Sequence, residues 1–141
     1  MKKIIWVVGI VMLFASTVFA GAITKADLAN LKGTWEGNAS IGVATASMKL
    51  EILNNTIPLE GKATISNVDR FKGQDFSWTG EYYTAQSSNG MLTNKGTIMF
   101  VGEGGKVFEI TSLGKDKSGK PILEGWFYGQ GGKVDWKVTK K

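Results

Sequence analysis

Trp35-Glu36-Gly37-Asn38-Ala39-Ser40-Ile41 is the stretch that decides the fold. Its odd positions are apolar or small and its even positions polar. That two-residue period belongs to a strand with one face in a core and the other in water. The period recurs along the chain. Met48, Leu50 and Ile52 alternate with Lys49 and Glu51, and Gly61, Ala63 and Ile65 alternate with Glu60, Lys62 and Thr64. Phe76, Trp78, Gly80 and Tyr82 alternate with Ser77, Thr79 and Glu81; Phe108 and Ile110 with Glu109 and Thr111; Val134, Trp136 and Val138 with Lys133, Asp135 and Lys137. Gly96–Val101 and Ile122–Tyr128 are apolar on both faces, so their registers stay open. They complete a set of eight expected strands.

Between the strands lie residues that tolerate positive φ: Asn54-Asn55, Ser88-Asn89-Gly90, the glycine-rich 102–105 segment, Lys117-Ser118-Gly119 and the 129–132 segment. Connections this short join consecutive strands as antiparallel hairpins. The expected fold is therefore all-β, an eight-stranded antiparallel up-and-down (meander) barrel. A short N-terminal helix over Thr24–Leu31 precedes it, capped by Thr24, with Asp27 near its start and Gly33 after its end. The polar residues line the outward face. An outer-membrane barrel would reverse that, with an apolar band facing lipid.

The N-terminus reads as an export signal. Lys2-Lys3 precede an apolar run from Ile4 to Ala15, and Val18-Phe19-Ala20 supplies a cleavage site before Gly21. The run is short against the roughly 20 residues of a membrane span. The expected organisation is a signal peptide over 1–20 and one barrel domain over 21–141, periplasmic or secreted and not membrane-spanning once cleaved.

Composition narrows the function classes. The 141 residues include no His and no Cys, which excludes disulfides, Cys/His zinc sites and catalysis by a histidine base or cysteine nucleophile. The 17 basic and 12 acidic residues give a net charge of +5, but the lysines are scattered and give no nucleic-acid footprint. The carboxylates fall on outward faces with no convergent pair. No enzyme activity and no cofactor are expected.

The segment from Ala26 through Gly33-Thr34-Trp35 resembles the entrance to a calycin, the superfamily of lipocalins, fatty-acid-binding proteins and avidins. The resemblance implies a meander barrel whose tryptophan packs at the closed end beneath a helical turn. Calycins tend to cover that tryptophan with an arginine from the last strand; here Lys137 or Lys140 would take its place. Avidins carry an asparagine and a serine two and six residues after the tryptophan. This chain has Gly37 and Ile41 there, so biotin is not implied.

Two functional readings follow. In the first, Trp35, Phe76, Trp78, Tyr82, Phe108 and Trp136 line a calyx for a small hydrophobic ligand, with Gly37, Ala39, Gly61, Ala63 and Gly80 leaving it room. In the second, those residues fill the barrel, and the chain is a structural or interaction protein of the envelope or cell surface, an inhibitor or assembly component, whose outward aromatics Tyr83, Trp126 and Tyr128 contact a protein partner, a second copy or a sugar. An inverted register at 122–128 would instead turn Glu124 inward. A cavity above about 300 Å³ favours the first reading.

Overall fold

A computed structural model describes residues 19–42, 44–69, 77–102, 106–129 and 132–141. Its strands are β1 (Phe19–Gly21), β2 (Gly33–Ile41), β3 (Ala44–Ile52), β4 (Leu59–Asp69), β5 (Ser77–Leu92), β6 (Ile98–Val101), β7 (Val107–Lys115), β8 (Pro121–Gly129) and β9 (Gly132–Lys140). From β2 to β9 each strand pairs antiparallel with the next, and β9 pairs back onto β2. Eight strands thus close into the expected barrel. The short β1 was not anticipated. It extends the place of β6 along β7, pairing Phe19, Ala20 and Gly21 with Lys115, Gly114 and Leu113, and it spans the bond where cleavage is expected.

Alternation sorts each strand into an inner and an outer face. Along β3, Ala44, Ala46, Met48, Leu50 and Ile52 are buried, and the residues between them face water. The two open registers resolve the same way. Ile98 and Phe100 of β6 are buried, as are Leu123 and Phe127 of β8, so Glu124, Trp126 and Tyr128 stay on the outer face.

The closed end is built around Trp35, which is fully buried. The expected helix over Thr24–Leu31 is corrected to a 3₁₀ helix, Lys25–Asn30. Its bonds run i to i−3, Asp27 to Thr24 and Leu31 to Leu28, a pattern suited to a single short turn. Asp27 Oδ2 accepts from both the amide and the hydroxyl of Thr24. The turn brings the Leu31 carbonyl over the barrel, where the Trp35 indole donates to it at 2.9 Å. Lys140 lies 5.7 Å from the Trp35 ring centroid, and its ammonium donates to the Asn30 carbonyl at 2.6 Å. Of the two lysines the calycin resemblance offered, Lys140 covers the ring.

Two local expectations are overturned. Ser88-Asn89-Gly90 is not a turn, because β5 continues to Leu92. A β-carbon at Gly90 would lie 2.5 Å from Cε1 of Phe100, so glycine is there for ring packing and not for turning. The reversal comes later: Thr93 donates to Thr97 at 2.8 Å, and Gly96 takes φ +77°. Nor does Gly80 face the interior. It is exposed, at φ +111°, and donates to Asn67 Oδ1 at 3.2 Å across an irregular β4–β5 ladder.

Gly125 shows how tightly the inner face is packed. A β-carbon there would overlap the Trp136 ring and the Glu109 carbonyl. Gly125→Ala is predicted to destabilise the protein by about 1–3 kcal/mol through overpacking. Equilibrium denaturant unfolding of the variant beside wild type measures it.

Candidate functional site

Inside the barrel the aromatic rings meet each other. Trp136 stacks on Phe108, centroids 5.2 Å apart and planes 16° from parallel. Phe108 stacks on Phe127 at 5.8 Å, and Phe127 on Tyr83 at 4.9 Å. Phe100 meets Phe108 edge-on at 6.0 Å. Four nearly parallel rings therefore run from β9 through β7 and β8 to β5. Against the small residues of β4 and β5 they leave a hollow of about 40 Å³, lined by Leu50, Gly61, Ala63, Ala85, Phe100 and Phe108 among others. Among the described residues this is far below the roughly 300 Å³ at which ligand pockets begin.

The expected calyx residues thus separate. Trp35 plugs the closed end, and Phe108 and Trp136 belong to the stack. Phe76 lies outside the described residues. Trp78 and Tyr82 fall on β5, and their side chains also lie outside what is described. Phe127 and Phe100, not singled out from the sequence, join them in the described interior. Trp136 Nε1 is buried with no hydrogen-bond partner among the described residues.

Tyr83 is a correction. The alternation from Phe76 puts it outward with Thr79 and Glu81. A bulge intervenes: Ile65 pairs with Tyr83, whereas the next residue, Ser66, pairs with Glu81. One extra residue in β5 reverses the faces beyond it. Tyr83 turns in against Phe127, half-buried.

The outer face carries a different assembly. On neighbouring strands Glu109, Trp126, Asp135 and Ser40 form one cross-strand row, and Glu124, Lys137 and Asn38 form the next. Side chains in such rows touch. Trp126 Nε1 donates to Glu109 Oε1 at 3.0 Å. The other oxygen of Glu109 accepts from Thr97 Oγ1 at 3.3 Å, and Thr97 pairs with the Thr93 hydroxyl at 2.7 Å. This relay fixes the orientation of a half-exposed indole. Tyr128, 60% exposed, meets the indole edge-on at 5.3 Å, and Lys133 lies 5.5 Å from it. Beside this cluster an open groove of about 760 Å³ runs across β7, β8, β9 and β2, with Trp126, Asp135, Lys137, Asn38 and Ser40 along it. Sequence reasoning finds Trp126 and Tyr128 but misses Glu109. Its signal is positional: a carboxylate opposite an outward tryptophan.

Burial against Phe127 raises the Tyr83 phenol above the ordinary tyrosine value. A raised folded pKa means the neutral phenol favours the fold. That contribution is present below the unfolded tyrosine pKa and is lost as pH rises through the folded one. A titration followed by phenolate absorbance is expected to contain a late-ionising phenol that Tyr83→Phe removes.

No protein-family model, no curated protein and no solved structure matches this chain.

Proposed function

We propose that the chain is an exported, non-enzymatic barrel that binds its partner on the outside, through the face around Trp126 and Tyr128. The observation that carries this reading is the four-ring stack from Trp136 to Tyr83, beside which the hollow lined by described residues measures about 40 Å³. A small lipophile enclosed in a barrel gains affinity by apolar burial only where a cavity can admit it. The outer face offers a large half-exposed indole held in one orientation by Glu109, so little side-chain entropy is lost when a partner covers it. The signal-like segment 1–20 supports a periplasmic or secreted location, and the Gly33-Thr34-Trp35 entrance supports kinship with the calycins.

A second reading, a small ligand within the barrel, is favoured by Trp136 Nε1, a buried donor with no partner among the described residues that a bound acceptor would satisfy.

Two measurements separate them. Titration with fatty acids and small aromatic lipophiles is expected to leave tryptophan fluorescence unchanged; saturable quenching by any of them would favour the interior. Trp126→Ala is expected to keep its melting temperature within a few degrees, since half-exposed surface residues away from the core contribute little to stability. Unfolding of that variant would place Trp126 in the core and remove the proposed surface.

A further inference from the structure

We infer that the outer groove beside Trp126 binds a neutral polysaccharide, the indole stacking on the apolar face of a sugar ring while Asp135, Asn38 and Ser40 bond its hydroxyls. This rests on the reading that the outer face is the recognition surface, and names its ligand class.

Three features of the groove converge on a sugar. The first is the indole itself. Pyranose rings carry axial C–H bonds on one face, a flat apolar patch that matches an aromatic ring. Trp126 is held for such a contact by its bond to Glu109, and Glu109 by Thr97. The second is charge. Each lysine of the groove lies near a carboxylate, Lys137 to Glu124 at 3.6 Å and Lys133 to Asp135 at 3.8 Å. Lysine and carboxylate alternate, so neither a polyanion nor a polycation meets a complementary field. A neutral, hydrogen-bonding ligand meets no such conflict. The third is the open polar side chains. Asn38 and Ser40 are exposed, and among the described residues their side chains bond to nothing. An apolar protein surface pressed on them would leave donors and acceptors unsatisfied, at about 1–3 kcal/mol each. Sugar hydroxyls both donate and accept, and satisfy them. The groove runs across four strands on an open surface, which suits a segment of a chain more than a single enclosed sugar.

The test is affinity electrophoresis of the purified full-length chain through gels containing dextran, laminarin, mannan or galactan, with anionic alginate as the contrast. At least one neutral polysaccharide is expected to retard wild type, and alginate is not. Trp126→Ala is expected to abolish the retardation, and Asp135→Ala and Asn38→Ala to weaken it about tenfold, the scale of one lost hydrogen bond. Asn38 is an exposed polar position, so its variant keeps the test sound even if Trp126→Ala folds poorly. Folded wild type that none of the four neutral polymers retards overturns the inference, as does retardation unchanged in both Trp126→Ala and Asn38→Ala. The broader reading fails separately. If no polysaccharide binds but Trp126→Ala loses a co-purifying protein, the glycan assignment falls and the outer face stands. If lipophiles quench the fluorescence and no polysaccharide binds, both fall.

Discussion

Everything else in this molecule is arranged around the contact of the Trp136 indole with Phe108 and, through it, with Phe127 and Tyr83. Aromatic rings offset at 4.5–7 Å gain about 0.5–1.5 kcal/mol per pair beyond the area they bury, and here three such contacts follow one another across the barrel. Without cysteine or any described metal cluster, the interior must hold the sheet by packing alone. The stack sets what its neighbours can be. Gly125 and Ala39 pair with Trp136 on either side, and a β-carbon at Gly125 has no room. Gly90 gives way to Phe100 in the same manner. Of the small residues expected along a calyx, Ala39 pairs with Trp136 and Gly61 lies against the Phe100 ring, so these two complement large rings.

With the described interior occupied by rings, the proposed reading puts recognition on the outer face. The hydrogen bond from Trp126 to Glu109 is the outer counterpart of the ring stack: it restricts the rotamers of a large half-exposed aromatic side chain. A relay of Thr93, Thr97 and Glu109 supports one side chain, so its geometry is set in the free protein. The core strands position that site only through register. Trp126 faces out because Phe127 must face in.

The barrel itself was legible in the sequence wherever a strand had one polar face. β2, β3 and β9 follow their alternation residue by residue, and the Gly-Thr-Trp entrance led to the buried Trp35 and its lysine cover. What misled was local and has local causes. A bulge in β5 leaves no mark on composition, yet it reverses the faces up to the next register shift, so Tyr83 changed faces. Ser88-Asn89-Gly90 has turn chemistry, but Asn89 spends its amide on the Val101 carbonyl and Gly90 yields to Phe100. The outward site was half visible: Trp126 and Tyr128 stand out as aromatics beside Glu124, whereas Glu109 acquires its role only through the β7–β8 register.

The central claim is that the protein's own rings occupy the barrel, and truncating the ring in the middle of the stack tests it most directly. Phe127 touches both Phe108 and Tyr83 and is almost wholly buried. Equilibrium denaturant unfolding of Phe127→Ala should show a loss of about 3–5 kcal/mol relative to wild type, the cost of removing a packed core ring and leaving a cavity. A loss below about 1 kcal/mol would mean the ring lines space that was already open, and would contradict the filled barrel on which the outward site depends.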